Sequence, residues 1–273
     1  MFRVSCIQLR SNNNIHYNLE KTSKLIIKAI KQKTDFIITP EVSSHFSLNK
    51  KELLKVCTSM QNDIYLNGIK KLAKKYKKWI LIGSLIIKIS KNKLVNRSVL
   101  IDKNGKVRTY YDKIHMYDVT ITKNQSYQES KTYESGKFAK IANLKVNGKY
   151  YKIGMTICYD LRFPHLFRDL ALNGADLITV PSVFMHITGK DHWHSLLKAR
   201  AIETGCYIVA PAQYGHYLNK RKSYGHSLIV SPWGKILKDA KTEKSIIISD
   251  IDKDEVKIAR SKIPSLFVNK KYK

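Results

Sequence analysis

The stretch GMTICYDLRFPHLFRDLALNG (residues 154–174) decides how the chain is organised, because it places a single cysteine between two structural patterns. An apolar run at 153–157 predicts a buried strand, and apolar side chains at helical spacing predict a helix over 163–172. The helix would end at an Asn-Gly pair, a common C-terminal signal. Cys158 therefore lies where a strand ends and a helix is about to begin, a position that suits a reactive thiol.

Strand-like and helix-period segments alternate on both sides of this stretch. The N-terminal half predicts strands at 3–9, 35–41, 79–89, 94–101 and 107–111, and helices at 15–32 and 62–76. The C-terminal half predicts strands at 176–182, 206–210, 227–230 and 245–249, and helices at 191–204 and 253–261. Polar residues 118–136 follow neither period and predict a loop. Since no linker or repeat divides the chain, we expect one α/β domain over residues 1–273.

Composition indicates an ordinary globular protein, with 43% hydrophobic residues among 273. The longest apolar run, 79–87, is too short to cross a bilayer, which takes about 20 residues. The N-terminal segment 1–11 lacks the apolar core of about 7–15 residues that a secretory signal has. We therefore expect a cytoplasmic location and no membrane partner. The four cysteines form no CxxC pair and have no histidines at ligand spacing, so the sequence predicts neither a disulfide framework nor a metal site.

The net charge of +29 raises a second class of function, a basic protein that binds nucleic acid without catalysis. However, 41 of the 50 basic residues are lysines spread over the whole chain, and arginines do not cluster as phosphate and base recognition favours. The densest run, KKLAKKYKK (70–78), has its apolar side chains on one helical side, so its lysines predict a solvated face. Nucleic acid is therefore not the expected partner.

Three ionisable residues fall at or just beyond predicted strand ends, where open α/β sheets gather their ligands. Glu41 ends the predicted strand DFIITPE (35–41), Lys113 follows VRTYYD (107–112), and Cys158 follows the strand of the opening stretch. A carboxylate can accept the proton of a thiol, and an ammonium group can stabilise an oxyanion. The following helix N-terminus would favour negative charge on the sulfur. Together the three residues predict a thiol-based catalytic site.

Three sequence blocks at these positions resemble the signatures of the carbon–nitrogen hydrolase (nitrilase) superfamily. They are PE (40–41), DKIHMYD (112–118) and ICYDLRFP (157–164), and the resemblance continues through QES (128–130), residues 187–215 and residues 223–234. The resemblance implies a four-layer α-β-β-α sandwich that forms homodimers or higher homo-oligomers. It also implies a catalytic triad of Glu41, Lys113 and Cys158 that needs no metal or organic cofactor.

The resemblance implies a mechanism in which Cys158 attacks an amide carbonyl while Glu41 removes the thiol proton. Lys113 and the backbone N–H of Tyr159 would hold the oxyanion, and Glu129 matches a second family glutamate that positions the substrate or the lysine. The products would be a carboxylic acid and ammonia from a small linear amide.

Four further residues are candidates for the substrate pocket, each with a structural alternative. Arg162 binds a substrate carboxylate, or it pairs with Asp160 or Asp169. The residues Phe184, Thr188 and His192 belong to a segment that lines the pocket or serves packing and capping. His115, close behind Lys113, is expected to support the site through a hydrogen bond.

The substrate expected from the resemblance is deaminated glutathione, because ARAIET (199–204) and YGHSLIVSPWG (224–234) are similar to amidases that hydrolyse it. Omega-amidases that act on α-ketoglutaramate share similar sequence motifs and stay an alternative, as do other nitrilase-family C–N hydrolases. Many relatives have glutamate after the HW pair, where this chain has His194, so this position bears on the choice of substrate.

Overall fold

The computed structural model describes residues 2–122, 125–217, 221–268 and 270. The helices are α1 (Ile15–Lys31), α2 (Lys50–Val56), α3 (Ile64–Tyr76), α4 (Pro164–Leu172), α5 (His186–Thr204) and α6 (Lys253–Lys262), with 3₁₀ turns at Glu129–Lys131, Cys158–Arg162 and Pro264–Phe267. The strands of the first half are β1 (Phe2–Gln8), β2 (Phe36–Ile38), β3 (Trp79–Ser90), β4 (Lys93–Ile101), β5 (Val107–Asp112), β6 (Asp118–Thr122) and β7 (Gln125–Gln128). Those of the second half are β8 (Lys140–Val146), β9 (Lys149–Met155), β10 (Leu177–Thr179), β11 (Tyr207–Ala210), β12 (Tyr214–His216), β13 (Lys222–Tyr224), β14 (Leu228–Val230), β15 (Ile236–Asp239) and β16 (Ser245–Ile251).

The protein contains two six-stranded sheets with the same arrangement of strands. The first has the order β16-β1-β2-β3-β4-β5 and the second β15-β14-β11-β10-β9-β8. Three parallel strands form the centre of each sheet, β1-β2-β3 in the first and β9-β10-β11 in the second, and the outer pairings are antiparallel. Helices connect parallel strands because such a crossover must pass over a face of the sheet.

The alternation of side chains along the strands produces four layers. Phe2, Val4 and Cys6 of β1 belong to a core that they share with the second sheet, whereas Ile7 packs into a separate core with α1 and α3. Helices α4 and α5 contact the second sheet. The predicted α-β-β-α sandwich is therefore confirmed. Every helix among the described residues is too short or too polar to span a bilayer.

The main differences from the predicted elements are near the cavity. Residues 118–136 are not a loop throughout, because β6 and β7 form a hairpin that ends in the 3₁₀ turn at 129–131. Helix α5 begins at His186, five residues before the predicted 191. Its first turn contains Gly189, which lies closely against the Tyr224 ring, and a glycine inside a helix weakens the helical pattern of the sequence. The sequence does not predict α2, β8, β12, β13 or β15.

Candidate active site

Glu41 follows β2 on a segment with an unusual backbone. The next residue, Val42, has φ +46, which is rare for a β-branched residue. Its N–H donates to Ser84 Oγ at 2.8 Å, and the Glu41 carbonyl accepts a hydrogen bond of 2.9 Å from Gln213 Nε2. These bonds fix the direction in which the carboxylate leaves the main chain.

Lys113 is held directly after β5 by two neighbouring segments. Its N–H donates to the Asn96 carbonyl at 2.9 Å, and its own carbonyl accepts from the N–H of Gly136 at 2.8 Å. A Cβ on Gly136 would lie 2.1 Å from the Asp112 carbonyl oxygen, so only glycine permits this approach.

Cys158 begins the 3₁₀ turn that separates β9 from α4. It adopts φ +50, an uncommon conformation for a residue with a side chain, and its N–H donates to the Pro181 carbonyl at 3.0 Å. Asp160 stabilises the turn by accepting from the N–H of Ile157 at 2.8 Å. Strained backbone of this kind is found mainly where function requires it.

Gly83 of β3 allows the two sheets to meet beside these segments. A Cβ there would lie 1.9 Å from the Thr39 carbonyl oxygen and 2.4 Å from Pro181 Cβ. Thr39 leads to Glu41, and the Pro181 carbonyl is the acceptor for the Cys158 N–H. The glycine therefore brings the glutamate segment and the cysteine segment together.

The three predicted catalytic side chains converge in one place. Lys113 Nζ lies 3.1 Å from Glu41 Oε1 and 2.7 Å from Glu129 Oε2, and Cys158 lines the same cavity as these three residues. The other Glu41 oxygen accepts from the Val183 N–H at 2.7 Å. The exposed fractions are 4% for Glu41, 2% for Lys113 and 8% for Cys158.

Electrostatics set the protonation states of this cluster. Burial and the Glu41 charge raise the pKa of Cys158, so the sulfur rests as a thiol. Burial works to raise the pKa of Glu41, but the Lys113 charge, the neighbouring Cys158 thiol and the hydrogen bond from Val183 outweigh it, and the pKa is lowered. Burial opposes the ammonium form of Lys113, yet Glu129 and Glu41 raise its pKa. Of the two ways to activate the thiol, a carboxylate base and a thiolate stabilised by the helix N-terminus, this direction of the Cys158 pKa favours the base.

A cavity of about 340 Å³ opens onto the cluster. Its wall is mainly apolar and aromatic, with one arginine: Val42, Phe46, Leu48, Leu53, Tyr117, Tyr127, Tyr133, Val183, Met185 and Arg221 are among its residues. A largely apolar pocket with a few convergent polar groups suits a small organic ligand.

The other predicted substrate residues divide into two groups. Glu129, Tyr159, Phe184 and Thr188 line the cavity, and Glu129 also accepts from the Tyr117 N–H at 2.7 Å. Phe184 packs against the Trp193 ring with centroids 4.9 Å apart, and Thr188 Oγ1 bonds the Met185 carbonyl.

Arg162 and His192 do not line the cavity. Arg162 Nη2 lies 3.2 Å from His192 Nδ1, and the Arg162 guanidinium lies 5.5 Å from the ring of the cavity residue Phe184. A role of these two residues in substrate binding stays a prediction. The proposed pairing of Arg162 with Asp160 or Asp169 is absent from the described residues too. Asp160 instead accepts from Tyr111 Oη, His115 Nδ1 and the N–H groups of Ile157 and His115, because it lies buried beneath the turn.

Two cavity residues were missed by the sequence analysis. Asn96 Nδ2 donates to Glu41 Oε1 at 2.9 Å, and a polar residue in the middle of the apolar run of β4 is a signal that could have found it. Arg221 lines the cavity with its guanidinium 4.3 Å from the Tyr127 ring centroid and its Nε 2.7 Å from Met185 Sδ. Its place depends on β13, which no sequence pattern predicts.

Comparison with known proteins places this geometry in a family. The family model described as carbon-nitrogen hydrolase matches residues 3–261. Proteins named deaminated glutathione amidase from Synechocystis sp. and Dictyostelium discoideum are 35% and 37% identical, the first over 97% of both chains and the second over 98% of this chain and 94% of the relative.

Solved structures agree. The NitFhit protein of C. elegans superposes with a TM-score of 0.89 at 32% identity, covering 98% of this chain and 65% of that one. Saccharomyces cerevisiae Nit3, described as a member of branch 10 of the nitrilase superfamily, gives 0.84 at 26% identity over 96% of this chain and 94% of that one. The alternative of a non-catalytic nucleic-acid-binding protein finds no support here. The chain belongs to the carbon–nitrogen hydrolase family, whose members act on carbon–nitrogen bonds other than peptide bonds.

Proposed function

We propose that the protein is a cysteine-dependent amidase that hydrolyses deaminated glutathione. The observation that carries this proposal is the convergence of Glu41, Lys113 and Cys158 on one cavity, with the Lys113 ammonium group 3.1 Å from the Glu41 carboxylate. The names of the 35–37% identical relatives support the choice of substrate.

The chemistry follows from the resting protonation states. Glu41 takes the thiol proton as the Cys158 sulfur attacks the amide carbonyl, and Lys113 with the Tyr159 N–H stabilises the oxyanion. Collapse of the tetrahedral intermediate breaks the C–N bond while Glu41 returns the proton to the leaving amine. Water then attacks the thioester with its proton taken by Glu41, which releases the carboxylic acid and restores the thiol.

The leaving group depends on the substrate. Ammonia leaves from a primary amide such as α-ketoglutaramate, but the γ-amide nitrogen of deaminated glutathione belongs to cysteinylglycine. With that substrate the products are therefore a 2-oxo dicarboxylic acid and a dipeptide. The carboxylate of the dipeptide is a suitable partner for the guanidinium of Arg221 in the cavity wall.

The test measures both leaving groups with one enzyme preparation. Deaminated glutathione, α-ketoglutaramate and free glutamine are supplied in turn, with cysteinylglycine and ammonia quantified. We expect the highest kcat/KM for the first substrate and no turnover by Cys158→Ala. A preference for α-ketoglutaramate would replace the proposal by an omega-amidase, and full activity of Cys158→Ala would contradict the triad.

We propose further that the protein is a homodimer in the cytoplasm. Exposed apolar side chains near the C-terminal end of α5 and the adjoining turns support a contact with a second copy, among them Ile202, Trp233, Ile263 and Phe267. Light scattering should give twice the chain mass, and Ile202→Asp with Trp233→Asp should give the monomer. A monomeric wild-type protein would contradict this assembly, and cell fractionation tests the location.

A further inference from the structure

A cluster of two histidines and an aspartate lies outside the cavity wall. His194 belongs to α5, His226 precedes β14, and Asp239 ends β15. One potential ligand atom of each residue lies within 4.8 Å of the other two. Three separate segments therefore deliver two imidazoles and a carboxylate to one point, which is why ligand spacing along the sequence does not predict them.

We propose that His194, His226 and Asp239 bind a divalent first-row transition-metal ion such as Zn²⁺. His194 Nε2 lies 3.7 Å from Asp239 Oδ2, and His226 Nδ1 lies 3.0 Å from Asp239 Oδ1. A tetrahedral Zn²⁺ about 2.0–2.1 Å from each atom would hold its ligands about 3.4 Å apart. Small side-chain rotations reach this spacing, and the fourth position would be taken by water.

The surrounding contacts hold the two imidazoles in place. The Tyr224 ring stacks on His226 with centroids 4.4 Å apart, and Trp193 Nε1 donates to the His226 carbonyl at 2.8 Å. Because Trp193 directly precedes His194, this bond couples the two histidines through the backbone. Such contacts to the ligand side chains raise metal affinity because they hold the imidazole rings in the orientation that binds the metal.

The polarity of the cluster suits a cation of this class. The cluster offers two imidazole nitrogens and one carboxylate oxygen as ligand atoms. Imidazole nitrogen with one carboxylate oxygen favours Zn²⁺, Ni²⁺ or Co²⁺ over Ca²⁺ and Mg²⁺, which prefer all-oxygen sites.

Lys241 is the one charged neighbour among the described contacts of Asp239 that competes with a metal. Its Nζ lies 3.0 Å from Asp239 Oδ2, but the side chain is 74% exposed and can turn into solvent. The Lys241 backbone N–H, 2.8 Å from Asp239 Oδ1, continues to orient the carboxylate when the ammonium group leaves. Lys241→Met should therefore bind the metal at least as tightly as the parent.

The experiment uses the full chain with Cys158→Ala, so that the accessible thiol cannot bind the probe. Titration with ZnCl₂ should show one ion per chain, weakened at least about tenfold by His194→Gln and by Asp239→Asn. The exposed His16 supplies the matched control His16→Gln, which should bind like the parent. Co²⁺ should give visible ligand-field bands without thiolate charge transfer.

At the same zinc concentration, the melting temperature of the parent protein should rise more than that of His194→Gln, since a ligand stabilises the folded state according to its affinity. Equal zinc affinity in the parent and in both ligand variants would overturn the proposal. So would a cobalt spectrum with thiolate charge transfer, or a parent that binds no ion, because the cluster would then be held by hydrogen bonds alone.

Discussion

The N–H of Val183 donates to Glu41 Oε2 at 2.7 Å and thereby joins the ends of the two sheets at the reactive cluster. Glu41 comes from the first sheet and Val183 follows the β10 strand of the second. The other carboxylate oxygen, Oε1, accepts hydrogen bonds from Lys113 and Asn96, so both oxygens of Glu41 are held by hydrogen bonds. A carboxylate fixed in this way is ready to accept a proton without reorganising.

Removing the base should reduce turnover without unfolding the protein. We expect Glu41→Gln to lower kcat/KM by about 10²–10⁴-fold, the range typical of general-base catalysis. The exposed Glu20 provides the control Glu20→Gln, which should keep wild-type turnover. Wild-type kcat/KM in Glu41→Gln would exclude the proposed role of this carboxylate.

Activity should depend on pH through the same group. The pKa of Glu41 is below its ordinary 4.5 and that of Cys158 is above its ordinary 9.0, so the reactive thiol–carboxylate pair persists between these values. A plot of kcat/KM should be flat there and fall on the acid side. Because the folded pKa of Glu41 is depressed, its contribution to stability is present above about 4.5 and is lost as the pH falls through the folded value. A fall in kcat/KM near neutral pH would contradict the assignment of the pH dependence to Glu41 and Cys158.

Lys113 should contribute to folding as well as to catalysis. Lys113→Met leaves the carboxylates of Glu41 and Glu129 without their buried cation, which costs about 3–5 kcal/mol of the free energy of unfolding. The exposed ion pair of Lys24 and Glu20 gives the comparison, since Lys24→Met removes only a solvent-screened contact and should cost far less than Lys113→Met. Denaturant titration measures both, and equal losses would show that the Lys113 pairs are not stabilising.

Gly83→Ala should separate the two sheets at the active site. The added Cβ would meet the Thr39 carbonyl and Pro181, and overpacking of this kind costs about 1–3 kcal/mol. Turnover should fall further than stability, because the glutamate and cysteine segments move apart. Gly148→Ala, at a turn where a Cβ meets nothing within 4 Å, should keep full turnover. Similar turnover in the two variants would contradict the role of Gly83.

Arg221 should determine the affinity for the dipeptide carboxylate. We expect Arg221→Met to raise KM about 10- to 100-fold with little change in kcat, as for the loss of a charge-assisted hydrogen bond. Arg162→Met, outside the cavity wall, should leave KM unchanged. A raised KM in Arg162→Met and an unchanged KM in Arg221→Met would instead show that Arg162 binds the substrate carboxylate.

The convergence of Glu41, Lys113 and Cys158 could be predicted because each residue directly follows a strand or ends its apolar run. Strand periodicity locates Glu41, Lys113 and Cys158 just beyond strand ends, and the packing of the first sheet, which carries Glu41 and Lys113, against the second, which carries Cys158, brings them together. The position of Arg162, with its guanidinium 5.5 Å from the Phe184 ring and 5.9 Å from the Tyr159 ring, depends on tertiary packing that the sequence pattern does not reveal. The sequence does not predict the position of Arg221, because it depends on the long-range packing of the adjoining three-residue strand β13. A strand this short shows no recognisable alternation of apolar and polar residues.

Val42 and Cys158, on either side of the reactive cluster, both have positive φ angles that cost about 1–2 kcal/mol each for residues with a side chain. Replacing Val42 with glycine would relieve that cost but would also loosen the segment that aims the glutamate. The substitution would also remove a buried apolar side chain, which in protein cores costs about 2–5 kcal/mol, so the protein retains the strained valine for the packing it provides beside the glutamate.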